Sequence, residues 1–500
     1  MVKGSWFGTR RARHGATAAA VVLATGGLFL LHAHADAHAE TPDRGGMQLP
    51  SPDVAAVLTP KASTLPPAGA DTVAFSGPHV RGTLALSDAR VLTGRGQQLY
   101  ADISLSADGD GAEHAPLAMV VVLDTSGSME GEKLREAKSA VKELVRTMRD
   151  EDDIAFVHYS HFAEVVEPLR RVGDVRQELS AAVDRLSASG GTAIPLGLEM
   201  GMRQLDEGLA RSESRIGQRV RRVVLVSDGL DSSRARSEGL AQTAAVGGVT
   251  ISTMGIGLDF DEAYMGAVAR SGHGNFGFVN DGPTLTAFLK KELTETAATA
   301  AESTVVHLHL PAGVRFVRAT GADADVHGAD LDLRVGAIFA DDTKRVLLTF
   351  ETDMTNGAAA DLGGSLTWTG AGGGANEATI PTLGLRATDD AQAVQATRNA
   401  TVMARVASVE ASKRQIEAAE AYSRGDTARA QHLIQTNIAS LGAAGHAAPA
   451  PVAAQLAQQA ESYSSTYRDF ASAPAASPRG RYAAKAAAAS NMANAMKMAF

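Results

Sequence analysis

The chain contains no cysteine. That absence excludes disulfides, thiol catalysis, zinc ribbons and a lipoprotein-type anchor. It does not identify the compartment, because many exported bacterial-type proteins also lack cysteine. Aromatic residues are scarce at 5%, while glycine is plentiful at 50 residues. There is no basic excess: 47 Lys and Arg face 56 Asp and Glu, for a net charge of -9. A general nucleic-acid binder would need a basic face, so that class is set aside. The longest apolar run near the start, "GATAAAVVLATGGLFLL" at 15–31, is shorter than the roughly 20 residues a spanning helix requires. What is present is the composition of a soluble globular protein, 45% hydrophobic and 21% charged. Five hundred residues exceed one ordinary core and suggest roughly two to four domains.

The first forty residues bear on compartment. Lys3, Arg10, Arg11, Arg13 and His14 form a basic start, the apolar run follows, and "HAHADAHAE" then offers small-residue cleavage sites. This is the layout of a secretory signal peptide, which places the mature chain in the periplasm, the cell envelope or outside the cell. An uncleaved N-terminal anchor is the alternative, and the only membrane contact expected. His32, His34 and His38 fall on the cleavage region and are read as chance.

Residues 40–71 carry Pro42, Pro50, Pro52, Pro60, Pro66 and Pro67 without periodicity and read as a linker. Residues 72–116 hold short alternating runs such as "GTLALSDARVL" and "QLYADISLSA", which are strands. From 117 to 300 strands alternate with helices. "LAMVVVL" and "RRVVLVSDG" are strands buried on both faces, "DIAFVHYS" and "AEVVEPL" form a hairpin, and 133–148 is an amphipathic helix. The alternation implies a mostly parallel sheet with helices on both faces and functional residues at the carboxyl ends of its strands. Residues 301–387 return to strands. A helical hairpin follows at 388–445, with one long helix from 391 to 422. The Ala-rich tail at 446–500 is expected to be partly helical and, beyond 471, disordered.

Three loops converge on one chemistry. Asp124, Ser126 and Ser128 follow the first buried strand at alternate positions, Thr192 lies in "SGGTAI", and Asp228 ends the second buried strand in "SDG". In a parallel sheet these loops share one edge. Two carboxylates and three hydroxyls suit a small hard cation in octahedral oxygen geometry, Mg²⁺ first, with Mn²⁺ as the alternative. So few charges leave the ion electrophilic, with positions open to water or to a carboxylate from another molecule. Gly190 and Gly191 would let the Thr192 loop approach without Cβ clashes. D-x-S-x-S alone arises by chance in roughly one chain in ten of this length. The weight therefore rests on all three loops carrying oxygen ligands. Helix capping by Asp and Ser could account for one loop, not three.

This arrangement resembles the metal-ion-dependent adhesion site of von Willebrand factor type A domains, over about 117–300. The resemblance implies a Rossmann-like α/β domain with one antiparallel edge strand. It implies direct coordination by Ser126, Ser128 and Thr192, with Asp124 and Asp228 acting directly or through water. The flanking strands and helical tail are similar to bacterial exported proteins akin to inter-alpha-trypsin inhibitor heavy chains. That resemblance implies a single β-sandwich, built from 72–107 and 303–385, into which the α/β domain is inserted.

The expected function is a non-enzymatic, Mg²⁺-dependent protein-binding or adhesion module whose metal bridges to an Asp or Glu of a protein partner. The alternative is a structural cell-envelope scaffold whose metal only stabilises the fold. A metal-dependent hydrolase would need a general base and a concave pocket beside the metal, and the sequence shows neither. An ATPase or chelatase subunit conflicts with the export signal. Ser126 as a nucleophile lacks a base. His307 and His309 share one strand face and are read as solvent-facing, and His158 and His161 as surface residues beside the hairpin turn. The acidic "GIGLDFDE" at 255–262 reads as a helix start.

Overall fold

Alternating apolar residues dictate the first layer. β1 (Thr72–Gly77), β2 (Val80–Leu86), β3 (Arg90–Leu92) and β4 (Gly94–Ala107) turn Leu84, Leu86, Leu99, Ile103 and Leu105 into one core. The structure is a computed structural model and describes residues 71–108, 116–211, 219–370 and 373–497. The expected signal peptide, anchor and nearly all of the linker lie outside the described residues.

The next segment supplies the α/β unit. β5 (Leu117–Asp124) is buried at every position, as a central parallel strand covered on both faces must be. α1 (Glu132–Thr147), β6 (Asp153–Tyr159), β7 (Ala163–Arg171), α2 (Val172–Asp184) and α3 (Ile194–Arg211) follow. Then come β8 (Val220–Ser227), α4 (Arg234–Val246), β9 (Val249–Ile256), α5 (Glu262–Ser271), β10 (His273–Val279) and α6 (Gly282–Ala297). The sheet order is β10-β9-β8-β5-β6-β7. All neighbours are parallel except the β6–β7 hairpin at the edge. Separate apolar clusters cover its two faces. The pair Arg222–Glu292, both buried, joins β8 to α6 at 2.8 Å, and Ser252 and Asn275 complete the Glu292 hydrogen bonds.

The chain then re-enters the first layer. β11 (Thr299–His309), β12 (Val314–Thr320), β13 (Asp323–His327), β14 (Asp330–Phe339), β15 (Thr343–Met354), β16 (Ala359–Gly370) and β17 (Ala375–Thr388) complete two sheets. Their orders are β1-β2-β4-β15-β12 and β13-β14-β11-β16-β17-β3. Each contains strands from both sides of the α/β unit, and both contribute to one apolar core. The α/β domain is thus inserted in a β-sandwich.

The helical region differs from its sequence reading. α7 (Ala391–Ala396) stops short, and α8 (Ala400–Ser423) restarts behind the Asn399 side chain, which accepts from the Thr401 and Val402 amides. The break is fixed from outside: Arg398 pairs with Asp88 at 3.1 Å, and the Asn399 amide donates to the Ser87 carbonyl. α9 (Thr427–Ala447) and α10 (Ala450–Ser472) extend the expected hairpin. α11 (Pro478–Lys497) occupies the segment expected to be disordered. Alanine has the highest helix propensity, and its small side chain permits close approach. Ala484, Ala487 and Ala488 are buried against α8–α10, and Ala489 against the α/β domain. Lys485 fixes the helix by donating to the Phe260 carbonyl at 2.7 Å and pairing with Glu262 at 2.9 Å. Among the described residues no helix is long and apolar enough to cross a membrane.

Candidate functional site

The parallel sheet delivers Asp124 and Ser227 to the carboxyl ends of adjacent strands β5 and β8. Asp124 is fully buried. Its Oδ1 accepts from the Ser126 amide at 2.8 Å, and its Oδ2 accepts from Ser227 Oγ at 2.6 Å and the Tyr159 hydroxyl at 3.3 Å. Ser126 is buried and Ser128 exposed, with their Oγ atoms 3.0 Å apart. Ser128 Oγ donates to Asp228 Oδ1 at 2.8 Å. Asp124, Ser126, Ser128 and Asp228 therefore form one hydrogen-bonded cluster.

Thr192, in the loop before α3, comes up against Gly229, the residue after Asp228. Its side chain packs so closely on Gly229 that a Cβ there would lie 2.6 Å from Oγ1. The loops are tied by backbone as well. Gly127 N donates to Gly190 O at 3.0 Å, and Asp231 accepts from the Ile194 amide at 2.8 Å. Gly190 adopts φ +78°, where a Cβ would strike His161, so glycine is required there. Gly191 has open space around it. The crowding expected at Gly191 falls instead on Gly229, which depends on a cross-loop contact and leaves no trace in the local sequence.

Electrostatics distinguish the two aspartates. Burial raises the Asp124 carboxyl above the ordinary range. The hydrogen bonds from Ser126 and Ser227 oppose that shift, and the nearby Asp228 charge adds to it. The hydrogen-bond donors to Asp124 are all neutral. Asp228 has a cation, Lys133, whose ammonium pairs with Oδ2 and donates to the Ser128 carbonyl at 3.3 Å. Lys133 also lies 3.9 Å from Asp259. Sequence reading missed Lys133, Ser227 and Tyr159. Lys133 stands five residues after Ser128 in "SMEGEK" and Ser227 adjoins Asp228, so proximity to the motif was the available signal.

The histidines of β6 and β11 have hydroxyl or carboxylate partners. His158, expected on the surface, is half-buried because the hairpin pairs it with Glu164, and its Nδ1 lies 2.9 Å from Thr125 Oγ1. His307 and His309 face Asp332 and Asp330. Among the described residues no group of three or more His, Asp or Glu is placed to hold a metal. A cation at the Asp124 cluster would therefore rely on hydroxyls.

Residues 118–291 match the family model for the von Willebrand factor type A domain. The segment is a von Willebrand factor type A domain. Such a domain suggests a protein-interaction or adhesion module, in a family that is generally non-enzymatic. The chain is 29% identical over 234 residues to the uncharacterized protein YfbK of Escherichia coli (strain K12), covering 45% of this chain and 39% of that one. It is 28% identical over 287 residues to the uncharacterized protein sll0103 of Synechocystis, covering 54% and 66%. Human inter-alpha-trypsin inhibitor heavy chain H3 is 27% identical over 166 residues, 32% of this chain and 18% of that protein. The chain thus spans less than two thirds of each relative's length. Among solved structures, a von Willebrand factor type A protein from Catenulispora acidiphila aligns with TM-score 0.60 at 21% identity, covering 78% of this chain and 88% of that one. The ArnB paralog VWA2 from Sulfolobus acidocaldarius aligns with TM-score 0.52 at 16% identity, covering 84% and 98%. Both likenesses are of fold, and they extend well beyond the von Willebrand factor type A domain into the flanking regions.

Proposed function

We propose that this domain is a Mg²⁺-dependent protein-binding module, exported to the periplasm, cell envelope or beyond, whose metal bridges to an Asp or Glu of a partner. The carrying observation is Asp124: a fully buried carboxylate with neutral donors only, next to a second buried carboxylate. A buried charge without a counter-charge is costly, and a divalent cation would offset it. Ser126, Ser128, Thr192, Asp124 and Asp228 would hold the ion, with Mn²⁺ able to replace Mg²⁺. The bound ion would supply a Lewis-acidic point for an incoming carboxylate. Ser128, exposed at the sheet edge, marks the side from which a partner would approach. The basic start and apolar run of residues 1–40, laid out as in a secretory signal peptide, support a location outside the cytoplasm.

The decisive experiment compares wild type with Ser128→Ala and Thr192→Ala. Mg²⁺ affinity is measured by calorimetry, and partner capture from envelope fractions is measured with Mg²⁺ and with chelator. The module reading expects weaker Mg²⁺ binding and loss of metal-dependent capture at unchanged melting temperature. One observation favours a second reading, an envelope scaffold whose ion only stabilises the fold: Asp124, at the end of β5, joins β6 and β8 through Tyr159 and Ser227. Mg²⁺ raises the melting temperature by mass action under either reading, and the scaffold reading alone expects capture to be indifferent to chelator.

A further inference from the structure

The geometry points to a second binding site, for a small organic anion carrying a carboxylate or phosphate on an apolar body, at the joint between the α/β domain, the sandwich and the helical region. A cavity of about 320 Å³ lies there. That is within the range of small-molecule sites and equals the space of roughly ten waters. The chain carries a net charge of -9, yet this cavity is lined by Arg270, Arg318, Lys344 and Lys413 with Asp323 as its one carboxylate.

The cations come from separate elements and outnumber the carboxylate of the lining. Arg270 ends α5 and makes no ion pair with a described residue. Lys344 of β15 lies 5.8 Å from the centre of the Phe339 ring. Arg318 of β12 and Lys413 of α8 share one oxygen of Glu410, at 2.5 and 3.3 Å. Burial, with the Arg318 charge, holds the Lys413 ammonium below the ordinary lysine range against the pull of Glu410. The single carboxylate is already engaged: Asp323 Oδ2 lies 3.0 Å from His273 Nε2. His273 is held at φ +53°, a region side chains seldom adopt, and one associated with ligand sites.

Val335, Ile416 and Met492 supply an apolar wall. A bare inorganic ion would leave that wall unused, and an uncharged ligand would make no use of the cationic lining. Because Met492 and Ala495 belong to α11, an occupant would also fasten that helix to the sandwich.

The test uses the full chain with four probes: phenyl phosphate, benzoate, benzyl alcohol and inorganic phosphate. The two organic anions should bind saturably with Kd below about 1 mM, raise the melting temperature, and slow amide exchange in α11. Arg270→Ala/Lys344→Ala should weaken both by roughly tenfold or more. Ala319→Phe, which fills the cavity while keeping every charge, should abolish binding. Stronger binding by phenyl phosphate than by benzoate would assign the site to phosphate monoesters, and the reverse order to carboxylates. Equal binding of benzyl alcohol, undiminished binding in both variants, or no binding of either anion would overturn the site. Inorganic phosphate binding as tightly as phenyl phosphate would overturn its apolar half.

Discussion

Lys133 donates its ammonium to Asp228, whose side chain has no exposed surface, so a protein cation already holds one carboxylate of the candidate metal site. A divalent ion and this ammonium would compete for the same oxygen. Exposed ion pairs contribute about 0.2–1 kcal/mol. A partner as buried as Asp228 places this one at the upper end or above. Lys133→Met is expected to tighten Mg²⁺ binding by roughly three- to tenfold in a calorimetric titration. Weaker binding would mean that Lys133 supports the loop, through the Ser128 carbonyl, rather than opposing the ion.

Removing Asp124 tests folding as much as binding. Its carboxylate serves the Ser126 amide and the Ser227 and Tyr159 hydroxyls. Each buried donor left without an acceptor costs about 1–3 kcal/mol. Asp124→Ala is expected to lower unfolding free energy by about 2–4 kcal/mol in urea. Ser128→Ala, at an exposed position, should cost less than about 0.5 kcal/mol. Similar losses for the two variants would show that the buried network contributes little.

Much of the architecture was legible because parallel strands covered on both faces leave unbroken apolar runs. Leu117–Leu123 and Val223–Val226 are such runs, and the residues that end them belong to the candidate site. The β6–β7 hairpin and the strands on either side of the α/β unit were readable from alternation, whereas their union in one split sandwich was implied only by the family resemblance. Lys133 was not, because a lysine in the first turn of an amphipathic helix looks like part of a solvated face. Tyr159 meets Asp124 only through the pairing of β6 with β5, a register in which these two residues are partners. α11 was missed for a different reason. Its buried face is alanine, so neither apolar periodicity nor bulk marks it, and its attachment depends on Lys485 reaching Phe260 and Glu262.

That helix also touches the site's surroundings. Arg481 pairs with Asp259 at 3.2 Å, and Asp259 lies 3.9 Å from Lys133, which holds Asp228. The acidic loop that reads as a helix start is therefore a dock for α11. Freed from Arg481, Asp259 would attract Lys133 more strongly and draw it from Asp228. Arg481→Ala is expected to tighten Mg²⁺ binding by about twofold. By reciprocity, Mg²⁺ should alter amide exchange in α11 of the wild type. An unchanged Mg²⁺ affinity together with indifferent exchange would show that the helix and the site are uncoupled.

The attachment of α8 to the sandwich rests on a buried charge cluster. Arg405 pairs with Asp102, and its Nη1 also donates to Ser104 at 3.0 Å. Arg345 is close by. Burial, with the Arg405 charge, lowers its guanidinium to about 10 against the pull of Asp102. Asp102 thus acts on both buried cations, with Asp342 adding to its pull on Arg345. Removing it leaves both without that counter-charge, so Asp102→Asn is expected to cost about 3–5 kcal/mol. Removing one partner of a buried pair is costly because it strands a charge, but without Arg345 the Asp102 carboxylate still keeps its pair with Arg405. Arg345→Met should therefore cost under about 1 kcal/mol or stabilise, since it relieves the repulsion on Arg405. Urea unfolding of both variants checks the contrast. A larger loss for Arg345→Met than for Asp102→Asn would show that hydrogen bonding by Arg345, not charge balance, holds this joint together.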